Sequence, residues 1–334
     1  MAATIVDIKN MTGLSLATIS KYLNGGNVLP ENREKLDAAV KELNYEVNEI
    51  ARGLATKRTR TIGVVVYSIA RIFNGMMLHH IGNALREAGY GMLICDSNDN
   101  AELEKKNIKF LVGKKVDGII VLPVSGTADI LKPALDAKLP VVYLDRPSKE
   151  SFADCVRIDN RAAAKKAVNQ LIEMGHRKIA VIGSQVEYTG IERCNGYLDA
   201  MKPVVDFIPP EYQKRGRHSI EFGHESMRAL LSLKDRPTAV FMTNYEITLG
   251  AVMAVNESDF SCPEDISILG FDDLILSNVV KPRVCVVVQP MQEMAELAVK
   301  RLLQRIDGDE GAFTETVLST TMLEGNSIKD IRIG

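Results

Sequence analysis

Residues 4–25, TIVDIKNMTGLSLATISKYLNG, bring side chains suited to a base edge and to a phosphate into one short stretch. On a helix over 15–23, Leu16 and Ala17 are placed to meet thymine methyl groups. Lys21 is placed to donate to guanine O6/N7 or to a phosphate. Thr18, Ser20 and Asn24 are polar groups suited to anchoring phosphate, which sets register without reading sequence. Such chemistry requires a helix-turn-helix, whose second helix enters the major groove with its early side chains at base edges. Gly13 fits the tight turn, and Leu14 and Ile19 fit the packing between the helices. An ordinary αα-corner has the same pattern. Over residues 50–60 follow Arg52, Lys57, Arg58 and Arg60 with no acid among them, as in a nucleic-acid-binding or merely basic linker.

Other candidates for chemistry are weaker. Five cysteines (Cys95, Cys155, Cys194, Cys262, Cys285) are scattered and form no CxxC pair, which fits reduced thiols rather than a disulfide frame or a zinc site. His79-His80 lacks HExxH or carboxylate spacing, so packing or surface histidines are expected and no metal. No GxGxxG follows a strand, and neither a Walker motif nor a GxSxG elbow is present. The expectation is a protein that is not an enzyme and has no cofactor.

The elements that would position these residues fall into zones. The 334 residues exceed one ordinary core, so two or three domains are expected. Net charge is −2, and residues 1–60 carry nine Lys/Arg against seven Asp/Glu. To about residue 54 the chain reads as short helices: Ile5 and Ile8 on one face, Ser15 as an N-cap, Asn24-Gly25-Gly26-Asn27 as a stop. Pro30 opens a third helix bearing Leu36, Val40 and Leu43. From Thr61 short β-branched runs alternate with amphipathic helices. Strands are predicted at 62–67, 91–95, 118–122 and 141–144, and again at 178–182, 239–243 and 267–271, with helices such as 76–88 and 161–174 between them. This alternation implies parallel sheets covered on both faces.

A weak internal duplication accompanies it. TIGVVVYS (61–68) is like KIAVIGSQ (178–185), VDGIIVLP (116–123) like PTAVFMTN (237–244), and PVVYLDR (140–146) like SILGFDD (267–273). Two similar doubly wound lobes would bring the carboxyl ends of their strands, with similar polar loops, to a shared cleft where such folds hold ligands. Any two parallel sheets share some of this Val/Ile texture.

The N-terminal positions Thr4, Ile5, Asp7, Ile8, Gly13, Leu14, Ser15, Thr18, Ile19, Ser20, Lys21, Leu23 and Asn24 resemble those of the lac repressor/galactose repressor (LacI/GalR) family of regulators. Leu43, Tyr45, Asn48, Ala51, Arg52 and Leu54 match the stretch preceding that family's sensor domain. Further matches run through IGVVV (62–66), VYLDRP (142–147), GHRKIAVIG (175–183), ERCNGYLDAM (192–201) and PEDISILGFDD (263–273). The resemblance implies an α/β protein: an all-α helix-turn-helix headpiece (1–47), a hinge helix and linker (48–60), and two doubly wound parallel-sheet lobes of periplasmic-binding-protein-like type I. The first lobe would comprise 61–160 with 289–325, the second 161–288.

The resemblance also implies roles. Tyr45, Asn48 and Ala51 join the DNA-contacting set, and Leu54 is the apolar wedge that enters the minor groove and kinks the duplex. Arg193, Asn244 and Asp272 line an effector cleft, with Phe73 as an apolar face. An Arg fork, an amide and a carboxylate suit vicinal hydroxyls or a polar ring. Arg193–Asp272 and Asp145–Arg146 are equally readable as structural ion pairs. Departures are Lys9 and Thr12 in the first helix, Val47 before the hinge, Tyr245 after Asn244, and Cys285-Val286. The implied protein is a cytoplasmic homodimeric repressor on a pseudo-palindromic operator, controlled by a small effector of carbohydrate type and without a membrane partner. A protein corepressor in place of the small effector, and a sugar-binding protein without regulatory DNA binding, remain as alternatives.

Overall fold

The computed structural model describes residues 3–23, 25–45, 53, 58–147, 152–272 and 279–332. The chain divides into two compact units, Met1–Arg60 and Thr61–Gly334.

The first unit holds α1 (Ile5–Thr12), α2 (Leu16–Leu23) and α3 (Pro30–Glu42). Local chemistry sets each boundary. The Thr4 amide donates to Asp7 Oδ2 at 2.8 Å, closing the start of α1. Gly13 ends it at φ 70°, with its amide on the Lys9 carbonyl. Ser15 Oγ accepts from the Thr18 amide at 3.2 Å and caps α2. Pro30, which has no amide hydrogen to satisfy, is the first residue of α3. Ile8, Ile19, Leu36 and Ala39 close the core, with Leu14, Val40 and Leu43 packed around them. Lys9 is exposed, so its charge stays in water and the helix pair tolerates it.

The second unit contains two six-stranded sheets. The first uses β1 (Thr61–Val66), β2 (Gly91–Asp96), β3 (Gly118–Val121), β4 (Val141–Leu144), β5 (Asp154–Ile158) and β11 (Glu315–Leu318), in the order β11-β5-β4-β3-β1-β2. All its pairings are parallel. The second uses β6 (Ile179–Ser184), β7 (Gln213–Gly216), β8 (Ala239–Met242), β9 (Ser267–Phe271), β10 (Cys285–Val288) and β12 (Thr321–Leu323), in the order β12-β10-β9-β8-β6-β7. Only β12 runs antiparallel there. Helices α4 (Ile72–Glu87), α5 (Ala101–Gly113), α6 (Ala128–Asp136) and α11 (Met291–Ile306) accompany the first sheet. The second has α7 (Asn160–Glu173), α8 (Tyr188–Met201), α9 (Ile220–Leu231) and α10 (Tyr245–Asn256). Because helices cover both faces, every residue of β3, β4, β6, β8 and β9 is buried.

The seven strands read from the sequence are present to within two residues at either end. One assignment differs. Residues 289–325 were expected in the first lobe, yet β12 joins the second sheet, where it covers the edge of β10. Ser327 continues there, donating to the Ile268 carbonyl at 2.7 Å. The chain therefore crosses between the sheets after β5, after β10, and between β11 and β12.

Candidate functional site

Two surfaces answer to the expected chemistry. On α2, Leu16 (44% exposed), Ala17 and Lys21 face solvent, while Ile19 on the opposite side is fully buried. Positions 16, 17, 20 and 21 share one helical face by their i, i+4 spacing, so the stretch presents apolar contact beside a cation. The Thr18 hydroxyl is engaged with Ser15 Oγ at 2.9 Å, and Ser20 is half-buried. Tyr45, expected to contact DNA, lays part of its ring on the core of the first unit and remains half-exposed. Its ring covers apolar surface that three short helices cannot close alone. Asn24, Asn48, Ala51 and Leu54 lie outside the described residues.

The second surface is a cleft between the two lobes. Phe73, Arg193, Asn244 and Asp272 line one cavity, together with Tyr67, Asp145, Arg146, Glu187, His218, Glu246 and Gln289. Tyr67, Asp145, Asn244, Asp272 and Gln289 all stand just past the carboxyl ends of parallel strands, where the backbone turns away and leaves side chains free to converge.

Arg193 projects from α8 and is 2% exposed. Its Nε donates to Asn160 Oδ1 at 2.8 Å, and its Nη1 to the Thr243 carbonyl at 2.7 Å and Asp272 Oδ2 at 3.2 Å. The guanidinium carbon lies 3.6 Å from the Phe271 ring centroid. Asp272 is held a second time by Gln289 Nε2 at 2.6 Å. The first lobe repeats the arrangement. Arg146 stacks 3.9 Å from the Tyr67 ring centroid and pairs with Asp145 at 3.6 Å. The duplication extends to the backbone, since Asp145 and Asp272 have φ 72° and 70°. The amide of each donates to the neighbouring strand, to Val156 and Val287 respectively. A left-handed aspartate is strained unless its surroundings enforce it, and both lobes do so at the same point.

Burial dominates the electrostatics. It raises the Asp145 carboxyl to about 6, against the opposing pull of Arg146 and Arg193. It also pushes Glu246 up and His218 down, leaving the imidazole neutral at pH 7. Burial likewise opposes ionisation of Glu187, but hydrogen bonds from the Ser184 hydroxyl and from backbone amides, that of His218 among them, favour the carboxylate and keep it low. Four cleft atoms are buried with no hydrogen-bond partner: Asp145 Oδ1, Arg146 Nε, His218 Nε2 and Gln289 Oε1. Buried polar atoms left unpaired are costly, so the cleft is built for polar groups supplied from outside. Its free volume is about 30 Å³, room for roughly two waters at ~10–15 Å³ of probe-occupied volume each. Arg71, preceding α4, reaches across and donates to the carbonyl of His218 in the other lobe.

Asn244, expected to line the cleft, does so and also serves the fold. Its Oδ1 caps α10 by accepting from the Ile247 amide at 3.0 Å, and its Nδ2 donates to Glu246. Tyr245 belongs to the apolar core of the second lobe, and Glu246, one residue later, faces the cavity. The departure at Tyr245 therefore alters packing rather than the cleft wall. Among residues the sequence did not single out, Gln289 had a usable signal, a polar residue directly after a Val run. Glu187, His218 and Glu246 had none. His79 and His80 stack edge to face at 5.3 Å, and no group of three or more potential metal ligands occurs among the described residues.

The family model of the periplasmic binding protein-like domain matches residues 168–328. The chain is 31% identical to catabolite control protein A of Priestia megaterium over 305 residues, 90% of this chain and 92% of that one. It is 29% identical to the ribose operon repressor of Escherichia coli strain K12 over 311 residues, 91% and 93% of the two chains. Among solved structures, the transcriptional regulator CelR–cellobiose complex has a TM-score of 0.73 at 29% identity, covering 97% of this chain and 99% of that one. The lac repressor dimer bound to operator and the anti-inducer ONPF has a TM-score of 0.87 at 23% identity, covering 98% and 100%. That last likeness concerns the fold.

Proposed function

The chain belongs to the LacI/GalR family of transcriptional repressors, and from that premise we propose how its own residues serve repression. Two copies grip a pseudo-palindromic operator, each laying α2 in a major groove. Leu16 and Ala17 meet base methyl groups, Lys21 meets guanine or phosphate, and Thr18, Ser20 and Asn24 anchor the backbone. Tyr45, Asn48 and Ala51 extend the contact, and Leu54 is the wedge near the operator centre. The domain boundaries at residues 47 and 60 separate this reader from the sensor. The protein works in the cytoplasm, where its operator is, and has no catalytic step. No helix among the described residues is long and apolar enough to cross a membrane.

The effector is a small polar molecule of carbohydrate type, held by Phe73, Arg193, Asn244 and Asp272. One observation carries this reading: those residues line one cavity whose wall leaves buried donors and acceptors unpaired. The cellobiose in the CelR complex supports the same ligand class. Because the cavity holds only about 30 Å³, a sugar ring enters by parting the lobes. Ligand then sets lobe closure and hence the spacing of the two hinges.

Purified protein titrated with sugars and nucleosides, with and without operator, tests the scheme. An effector should alter operator affinity by the factor by which operator alters effector affinity. Operator binding without response to any small molecule would point to the protein-corepressor alternative. Sugar binding without operator binding would overturn repression.

A further inference from the structure

The charges that border the cleft do not balance. Arg71 pairs with Asp99 at 3.5 Å, Arg146 with Asp145 at 3.6 Å and Arg193 with Asp272 at 3.2 Å. Two further carboxyl groups face the same cavity, Glu187 and Glu246. Neither has a salt-bridge partner among the described residues. Glu187 accepts from the Ser184 hydroxyl and Glu246 from the Asn244 amide, both neutral donors. The cation that acts on Glu246 is Arg71, which also serves Asp99 and the His218 carbonyl. Both acids sit at helix N-termini, Glu187 before α8 and Glu246 in the first turn of α10. A helix dipole offsets only part of a unit charge.

The unpaired atoms in the wall give an independent indication. Asp145 is 2% and Gln289 4% exposed. Asp145 Oδ1 and Gln289 Oε1 have no donor. The amide nitrogen of Gln289 is committed to Asp272, so its oxygen is necessarily the acceptor left over. The cleft therefore asks for hydrogen-bond donors at Asp145 and Gln289, for an acceptor at Arg146 Nε and, at Glu187 and Glu246, for positive charge. We propose that the effector of this chain carries a cationic nitrogen alongside its hydroxyl groups, as an amino sugar does, and that Glu187 and Glu246 receive it. A neutral hydroxyl would satisfy a lone pair but leave the charge. An ammonium group answers both needs, and closing the lobes strengthens the attraction by excluding water. The inference rests on the reading of this cleft as the effector site.

Isothermal titration of the full chain at pH 7 with matched sugars tests it. The probes are glucose, glucosamine and N-acetylglucosamine, and the corresponding galactose and mannose sets. At least one amine should bind about tenfold tighter than its neutral and acetylated partners, the ratio by which a charge-assisted bond exceeds a neutral one. In the Glu187→Gln/Glu246→Gln double variant that preference should collapse. Should the double variant not fold, judged by its thermal melt, either single variant should lower the preference. Neutral sugars binding as tightly as the amines would overturn the cationic effector and leave the carbohydrate reading standing. A preference that survives both substitutions would overturn the role of these two residues. No binding by any member would overturn both readings of the cleft.

Discussion

Asp145 and Asp154 are buried carboxylates in one lobe that respond to pH in opposite directions. Burial raises Asp145 to about 6, above its ordinary 3.8. The folded state therefore holds an extra proton between about pH 4 and 6. Its contribution is greatest below that window and lost as pH rises through it. At Asp154 burial is outweighed by Arg305 and Arg301, which bond it at 2.7 and 2.8 Å and hold it down at about 2. That contribution is present above about pH 4 and lost as pH falls toward 2. Urea unfolding across pH 3–7 should show the slope near pH 5 diminished in Asp145→Asn, and the acid slope diminished in Asp154→Asn. Arg193 makes a sharper case. Replacing it with Met would leave Asp272 buried without its cation, so unfolding should become easier by about 3 kcal/mol, read by urea titration at pH 7. Arg193, Asn244, Asp272 and Phe73 could be named in the sequence, and so could the Arg193–Asp272 pair, but their other partners could not, because nothing in their spacing points to Asn160 or Gln289.

Elements meet closely where glycine lets them. A Cβ on Gly250 of α10 would lie 1.9 Å from the Ile220 carbonyl, and one on Gly223 of α9 would lie 2.4 Å from the Ile247 carbonyl. Each helix thus leaves room for the other's backbone. Gly250→Ala should cost about 2 kcal/mol or more in thermal unfolding, since backbone cannot yield as a side chain can. Gly13 differs: a Cβ there meets nothing within 4 Å, but φ 70° disfavours any L side chain. Most elements were legible in the residues, through Ser15, Pro30 and the Val/Ile runs. Others were not. β7 (QKRG) has no apolar alternation, and β11 carries exposed residues at an edge, so neither has a periodic signal to read.

At the scale of the whole sensor, three chain crossings join the lobes, and Arg71 bridges the cleft to the His218 carbonyl. Arg71→Ala should weaken effector binding several-fold, as expected for loss of a charge-assisted bond that links the two lobes. Titration calorimetry with the identified effector checks this, and unchanged affinity would remove Arg71 from closure. The variant's operator affinity in the presence of ligand should move in step, because coupling between the two sites is reciprocal.

The helix-turn-helix surface and the two-lobed architecture follow from the sequence, and the physical reason is locality. Caps, turns and hydrophobic periodicity act over a few residues, and the duplicated strand ends, LDR at 144–146 and FDD at 271–273, lie open in the chain. Tertiary structure decided which side of a residue counts. It turned Tyr245 inward, gave β12 to the second sheet, and brought Glu187, His218, Glu246 and Gln289 to the cleft. The Arg71–His218 contact joins positions 147 apart. Such a contact exists only once packed helices and sheets have offset the entropy of closing the intervening chain, and no local pattern encodes it. The cleft's place was therefore readable from the strands, while its unbalanced charge emerged only when distant side chains met.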